Sequence, residues 1–165
     1  MTDNHTIPYV FFDVDGVLNH ESDWRGQRFF INSRCLSVFK DFVAFLEAKY
    51  HTDPILITCS TWRAGFDHKN NQNADAVSIL EQKFRAVNLS IRGATPVSKK
   101  TRQEEIEYFI RRNDVRAYIV IDDDESLYNR PDEINLYVPD YRKGLTDKDL
   151  KQLKKQFVKY NEKIS

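Results

Sequence analysis

Four short apolar runs, separated by stretches with helical periodicity, are the feature that most limits how this chain can fold. The runs cover residues 9–12, 54–59, 117–121 and 134–138, and the last run is the weakest. They are apolar without alternation, which is typical of strands covered on both faces of a parallel sheet. Their length, their β-branched residues and the turn-forming residues beside them favour strands over buried helical segments.

The stretches between the runs carry apolar residues at helical spacing. A first helix can be capped by Asn32 or Ser33. Further helices are predicted over 74–86, over 103–112, and after Thr146 and Asp149, whose spacing is similar to a capping box. Strands that alternate with helices predict a Rossmann-like three-layer α/β/α sandwich with a central parallel sheet. The length of 165 residues predicts a single domain over 1–165, with loops or flaps over 20–28 and 64–75.

Charge, cysteines and hydropathy exclude several classes of protein. The chain has 25 basic and 25 acidic residues, so neither a basic nucleic-acid coat nor a charged disordered tail describes it as a whole. Two cysteines, Cys35 and Cys59, cannot form a disulfide framework. The N-terminus is polar, unlike a signal peptide, and no apolar run approaches the roughly 18 residues of a membrane span. We therefore expect a cytoplasmic protein without membrane association or an obligate protein partner.

Acidic residues follow two of the four predicted strands directly. Asp13 and Asp15 come after the first run, and Asp122, Asp123 and Asp124 come after the third. Parallel strands end at the same edge of a sheet, so both groups of acids can face one crevice. Carboxylates 4 Å apart repel by about 4 kcal/mol at an effective dielectric near 20, which a cation can offset. Oxygen ligands alone favour Mg²⁺, whereas the alternative interpretation is a set of exposed turn-forming acids.

The residues around the first group of acids resemble motif I of the haloacid-dehalogenase-like (HAD) phosphohydrolases. Residues 11–19 read Phe-Phe-Asp-Val-Asp-Gly-Val-Leu-Asn, and the Val-Leu-Asn ending is similar to the subgroup found in Swiss-army-knife RNA-repair proteins. Further segments fit that subgroup in order, namely 57–63, 93–96 with Arg102, 121–124 and 144–146. The resemblance implies a HAD-like fold, and the short distance between the first two motifs leaves no room for a large cap domain.

The resemblance implies a role for each clustered acid. Asp13 would attack phosphorus and also bind Mg²⁺. Asp15 would protonate the leaving alcohol, then activate the hydrolytic water, and offer its backbone carbonyl to the metal. Asp122 would be a direct metal ligand and Asp123 a direct or water-mediated one. Asp124 would face solvent or stand behind the ligands, because three consecutive side chains cannot all face one ion.

The second motif would supply a hydroxyl to the substrate phosphate. Ser60 is the candidate that the resemblance implies, and Thr58 and Thr61 are its rivals because the end of that strand is not fixed by the sequence. A hydroxyl at a strand end can instead satisfy backbone groups. Arg63 can reach a substrate phosphate or pack its stem on the indole of Trp62.

The third motif would supply a basic residue, and three residues compete for this role. Arg102 fits the subgroup best, and a guanidinium can bind phosphate with two hydrogen bonds. Lys99 and Lys100 are the alternatives, and all three residues can instead be solvated charges at the start of a helix.

These residues together predict a Mg²⁺-dependent phosphatase that hydrolyses a phosphate monoester through an aspartyl-phosphate. Candidate substrates are phosphorylated small molecules, nucleotides and nucleic-acid ends, the last by analogy with the repair subgroup. Phe29, Phe30 and Trp62 can stack on bases or simply fill the core. The alternatives are a phosphotransferase, in which an alcohol accepts the phosphoryl group, and a non-catalytic module that binds metal or a phosphorylated ligand.

Overall fold

A five-stranded parallel sheet forms the centre of the protein. The computed structural model describes residues 5–26, 29–62, 74–97 and 99–162. The strand order is β3-β2-β1-β4-β5, with β1 Pro8–Phe12, β2 Ile55–Thr58, β3 Ile91–Ala94, β4 Ala117–Ile121 and β5 Leu136–Tyr137. The four α-helices of the described residues are α1 Ser33–Tyr50, α2 Ala74–Ala86, α3 Arg102–Arg112 and α4 Asp147–Glu162.

Helices cover both faces of the sheet, which confirms the predicted three-layer α/β fold. On one face, β1 packs against apolar side chains of α1, α2 and α4, among them Phe39, Phe84 and Phe157. On the other face, Phe11 packs against Ile106 of α3. Alternate residues of β1 therefore enter different cores, and this explains why the predicted strands are apolar without alternation.

Helices α1 and α4 begin with the caps that the sequence predicts, and α3 begins with a cap that was not predicted. The Asn32 side chain accepts hydrogen bonds from the backbone N–H groups of residues 34 and 35 and begins α1. Thr101 caps α3 in the same way, so α3 starts at Arg102, one residue before the predicted position. At α4, the backbone N–H of Thr146 donates to the Asp149 carboxylate at 2.7 Å, as in a capping box.

The sheet differs from the prediction at its two edges. Strand β3 was not predicted because its four residues include Gly93 and the exposed Arg92, and among the described residues β2 is its only partner strand. Strand β5 has two residues where five were predicted. The predicted flap at 20–28 contains a 3-10 helix over Glu21–Arg25, and its positions 27 and 28 lie outside the described residues. Of the predicted loop at 64–75, positions 64–73 lie outside the described residues, and the last two positions belong to α2.

The connection between β1 and β2 contains no inserted domain among its described residues. It consists of the motif I turn, the short 3-10 helix and α1, so the described part of this connection holds no cap domain, as the sequence analysis predicts. None of the helices in the described ranges is both long enough and apolar enough to cross a lipid bilayer.

Candidate active site

The carboxyl ends of β1 and β4 bring the two groups of acids together. The strands are neighbours, and Phe12 at the end of β1 is in register with Ile121 at the end of β4. Asp13 and Asp122 therefore follow the last residues of adjacent strands, and the backbone N–H of Asp13 donates to the carbonyl of Ile121 at 2.9 Å. The chain adds β2 and β3 on one side of β1 and then β4 and β5 on the other side, so the strand order changes direction between β1 and β4. Open α/β sheets bind their ligands at such positions. The predicted meeting of distant acids is confirmed.

Three carboxylates form what we call the acidic cluster, namely Asp13, Asp122 and Asp123. One oxygen from each lies within 4.8 Å of the other two. Asp122 is fully buried, and 7% of Asp13 is exposed. This set contains only oxygen donors, which fits a hard divalent cation. The acidic cluster could therefore hold a metal ion.

The raised pKa values of Asp13 and Asp123 indicate that the ionised form of the acidic cluster needs a nearby positive charge. Burial and the neighbouring Asp122 carboxylate raise the pKa of Asp13 well above its usual value, although Arg102 acts in the opposite direction. Burial also raises the pKa of Asp123, against the effect of its hydrogen bond with Asp13. In each case the charged form is unfavourable in the protein alone, because a buried carboxylate loses hydration and meets like charges.

Arg102 is a buried cation beside the acidic cluster. It is the first residue of α3, and its Nη1 lies 2.8 Å from Oδ2 of Asp122 and 3.6 Å from Oδ2 of Asp13. Burial opposes its charge, but the two carboxylates raise the pKa of Arg102 above its ordinary value. The side chain therefore remains charged and offsets part of the negative charge of the acidic cluster.

The two lysines that compete with Arg102 lie on the surface. Lys99 places its Nζ 4.5 Å from the ring centroid of Tyr108 on α3. Lys100 is exposed, and its backbone N–H donates to the side chain of Glu104. Neither contact involves the acidic cluster, so Arg102 is the candidate of the three that the structure brings to it.

Tyr128 is a contact of the acidic cluster that the sequence analysis missed. Its hydroxyl donates to Oδ2 of Asp122 at 2.7 Å, on the same oxygen that accepts from Arg102. Burial and the nearby Cys59 and Asp122 raise the pKa of Tyr128, so the hydroxyl keeps the proton that it donates. The contact could not be read from the sequence, since Tyr128 lies on an irregular segment after β4.

Asp15 has its own pair of hydrogen-bond donors and is not one of the three carboxylates of the acidic cluster. Asn19 donates its side-chain amide to Oδ1 of Asp15 at 2.9 Å, and Trp62 donates its indole N–H to Oδ2 at 3.0 Å. Both oxygens of the carboxylate are thus fixed in direction. Asn19 also accepts from the backbone N–H of Gly16, so it closes the motif I turn.

Gly16 allows the motif I turn to pass directly beside Asp123. Its φ is +80°, a left-handed backbone that favours glycine. A Cβ at this position would lie 3.0 Å from the Cβ of Asp123 and would overlap the Asp123 carboxylate. The glycine of Asp-x-Asp-Gly is therefore required by a contact between motif I and the residues after β4.

The hydroxyl candidates of the second motif occupy different positions at the end of β2. Thr58 is the last residue of β2, and its buried hydroxyl donates to the carbonyl of Phe12 at 3.4 Å. Ser60 lies two residues beyond β2 and is buried, and its hydroxyl oxygen accepts the backbone N–H of Trp62 at 3.1 Å. Thr61 is exposed. Arg63 lies outside the described residues.

Trp62 is a core residue and not an exposed stacking surface. Only 3% of the side chain is exposed, and its ring packs edge-on against Phe29 with the centroids 5.2 Å apart. Asp124, by contrast, is exposed as expected, and its carboxylate caps the turn at Ser126.

Comparison with known proteins identifies one family. The model of the HAD domain in Swiss Army Knife RNA repair proteins matches residues 9–150, which include the acidic cluster, Asp15 and Arg102. No curated protein and no solved structure matches the chain.

Proposed function

Since this chain belongs to the family of HAD domains found in Swiss Army Knife RNA repair proteins, a phosphohydrolase family, we propose that it hydrolyses phosphate monoesters. The observation that carries the proposal is the acidic cluster with Arg102 beside it, at the carboxyl edge where β1 and β4 meet. We propose a Mg²⁺-dependent reaction through an aspartyl-phosphate on Asp13, with Asp15 as acid and base.

The first half of the reaction transfers the phosphoryl group to the protein. A carboxylate oxygen of Asp13 forms a bond to phosphorus, and the bond from phosphorus to the ester oxygen breaks. Asp15 gives its proton to the departing alcohol. The hydrogen bonds from Asn19 and Trp62 support this role because they fix the direction of the Asp15 carboxyl group.

The second half returns the protein to its starting state. Asp15, now ionised, accepts a proton from water as the water oxygen bonds to phosphorus, and the acyl-phosphate bond to Asp13 breaks. Inorganic phosphate leaves, and Asp15 again carries the proton it needs for the next alcohol. The oxygen and one hydrogen of the water are then in the phosphate, and the other hydrogen is the proton on Asp15.

The metal site follows from the acidic cluster. The carboxylates of Asp13, Asp122 and Asp123 would hold Mg²⁺, with the backbone carbonyl of Asp15 as a further ligand. When bound, Mg²⁺ supplies positive charge that offsets the charge of the phosphate and of the acids. Arg102 would meet a phosphate oxygen while it keeps its hydrogen bond to Asp122, and Ser60 would donate its hydroxyl to another.

The substrates that we propose are nucleotides or nucleic-acid ends that carry a terminal phosphate. The described part of the chain has no cap over the sheet edge, so a large substrate can reach Asp13. The RNA-repair context of the family supports the same class. We also propose that the protein acts in the cytoplasm, where nucleotides and RNA ends are present.

A screen of phosphate monoesters tests the proposal. Nucleoside monophosphates and oligonucleotides with 3′- or 5′-phosphates are incubated with the protein, with and without Mg²⁺, and phosphate release is measured. We expect release only with Mg²⁺, and a loss of at least about a thousandfold in Asp13→Asn. Asp124→Asn is the matched control, since it removes an exposed acid from the same segment as Asp122 and Asp123.

Each outcome of the screen has a defined meaning. Equal turnover in Asp13→Asn, with the fold confirmed by thermal unfolding, would exclude Asp13 as the nucleophile. Turnover that requires an added alcohol, and yields a new ester, would assign a phosphotransferase. Metal binding without turnover of any ester would assign a binding module.

A further inference from the structure

Two exposed aromatic rings stack on each other beside the motif I turn. Trp24 lies in the 3-10 helix Glu21–Arg25, and Tyr141 lies in the turn before α4. Their ring centroids are 6.2 Å apart, and the planes are inclined by only 15°. The exposed fractions are 46% for Trp24 and 43% for Tyr141, so both rings keep an open surface toward solvent. We call this pair the aromatic platform.

A short chain of hydrogen bonds connects the aromatic platform to the proposed acid and base. The indole N–H of Trp24 donates to Oδ1 of Asn19 at 2.9 Å, and the amide of Asn19 donates to Oδ1 of Asp15 at 2.9 Å. The indole nitrogen is therefore within about 8 Å of that carboxylate oxygen. The aromatic platform is therefore joined through one side chain to the residue proposed as acid and base.

The aromatic platform is also held firmly against the motif I turn. The backbone N–H of Glu21 donates to the carbonyl of Tyr141 at 3.1 Å, and that of Leu145 donates to the carbonyl of Val17 at 2.9 Å. Gly144 has φ +64°, and a Cβ there would lie 2.7 Å from the carbonyl oxygen of Asn19. The turn can approach this closely because residue 144 is glycine, and a rigid platform loses little entropy when a ligand binds.

Several cations lie beside the aromatic platform, together with the acids Glu21, Asp23 and Asp140. Arg25 is exposed next to Trp24, and Arg142 and Lys143 follow Tyr141. Arg142 is paired with Asp140, but within the described ranges no carboxylate lies at ion-pair distance from Arg34 or Lys143. The Arg34 guanidinium instead donates to the carbonyl of Lys143 at 2.7 Å, which keeps it at this surface. Flat rings with cations beside them fit the bases and phosphates of a nucleic acid.

We propose that the aromatic platform binds the base of the nucleotide whose phosphate reacts at Asp13. This inference rests on the proposed function and makes its substrate class narrower: a phosphate attached to a nucleoside is preferred over the same phosphate without a base. Stacking on an aromatic side chain tolerates every base, so the preference is for the presence of a base and not for a sequence. Removal of one ring should weaken binding about tenfold or more.

Matched substrates with and without a base test the proposal. The first pair is a nucleoside 5′-monophosphate and ribose 5-phosphate, and the second is a phosphorylated oligonucleotide and its analogue with an abasic terminal residue. The measured quantity is the ratio of kcat/KM within each pair. We expect the ratio to be about ten or more in the unmodified protein and to fall toward one in Trp24→Ala and Tyr141→Ala. A larger ratio in the second pair would mean that the strand and not the free nucleotide is the ligand.

Two further variants separate stacking from other effects. Ile7→Ala is the matched control, because Ile7 is an apolar residue that is 42% exposed. It lies just before β1, at the amino end of the parallel strands, whereas the acidic cluster follows their carboxyl ends. Ile7→Ala should keep the ratio. Trp24→Phe keeps a ring but loses the N–H that donates to Asn19, so we expect it to keep the ratio while kcat falls for both members of a pair. A ratio that is near one in the unmodified protein, or equal in all variants, would overturn the proposal.

Binding without turnover distinguishes this proposal from the proposed function. If no ester is hydrolysed, the Asp13→Asn variant is titrated with a nucleoside monophosphate while tryptophan fluorescence is recorded. If the quenching disappears when Trp24→Phe is added, the nucleotide binds at the aromatic platform. The proposal for the platform would then stand although the proposed hydrolysis had failed. No quenching, or quenching that persists in Trp24→Phe and so comes from Trp62, would overturn it.

Discussion

Replacing Gly16 with alanine probes the contact between the motif I turn and Asp123. The substitution adds one methyl group at a position with φ +80°, where it would overlap the Asp123 carboxylate. A left-handed backbone destabilises a residue with a Cβ by about 1–2 kcal/mol. The carboxylate must also move by about 1 Å to restore an ordinary van der Waals separation.

A displacement of this size is large for a magnesium ligand. Mg²⁺ requires nearly ideal octahedral geometry at about 2.0–2.1 Å, so an oxygen that moves by about 1 Å leaves the coordination shell. We therefore expect Gly16→Ala to weaken Mg²⁺ binding at least about tenfold and to lower phosphate release by a similar factor. The free energy of unfolding should fall by the backbone contribution of about 1–2 kcal/mol.

Calorimetric titration with Mg²⁺ and thermal unfolding measure the two effects separately. Gly26→Ala is the matched control, because Gly26 has φ −97° and no atom within 4 Å of an added Cβ. If the overlap with Asp123 is the cause, the loss of Mg²⁺ affinity in Gly16→Ala should not add to the loss in Asp123→Ala. Unchanged Mg²⁺ affinity in Gly16→Ala, or full additivity, would refute the reasoning.

Three further predictions concern the charges and hydrogen bonds of the site. Arg102→Met leaves the acidic cluster without its buried cation, so we expect the metal-free protein to lose about 3–5 kcal/mol in chemical unfolding, and Mg²⁺ to restore part of it; a loss below about 1 kcal/mol would contradict the pairing. Trp62→Phe removes the N–H that donates to Asp15, so kcat should fall about tenfold while Mg²⁺ affinity stays the same, and an unchanged kcat would argue against a positioning role. The raised pKa of Asp13 means that the folded metal-free protein holds a proton which the unfolded chain has already lost; its stability should therefore fall as pH rises above about 4 and through the raised pKa, by at most about 1.4 kcal/mol per pH unit, and Asp123 acts in the same direction. The increase in Tm that Mg²⁺ causes should then be larger at pH 8 than at pH 5, and an increase independent of pH would contradict the assignment.

Sequence patterns were sufficient to predict the central strands of the sheet and the meeting of the acids. Strands covered on both faces are apolar throughout, so β1 and β4 were predicted nearly to the residue. Because parallel strands end at one edge, Asp13 and Asp122 could be expected to lie together without knowledge of the strand order. Helix caps such as Asn32 can be predicted because they are local hydrogen bonds between neighbours in sequence.

Contacts between side chains from distant segments could not be predicted in this way. Trp62 donates to Asp15 across 47 positions of the chain, and the direction of each side chain depends on backbone turns that no periodicity encodes. Tyr128 was missed for the same reason. The choice of Arg102 over the neighbouring lysines required the exact start of α3, which Thr101 determines. Strand β3 was too short and too polar to stand out.

The identity of the residue that receives the phosphoryl group tests the central claim most directly. The protein is mixed with an excess of the best substrate and Mg²⁺, quenched with acid within the first turnover, digested, and examined by mass spectrometry. We predict one added phosphoryl group on the peptide that contains Asp13, dependent on Mg²⁺ and absent from Asp13→Asn. Rapid release of phosphate with the group on another residue, or on none, would contradict the account.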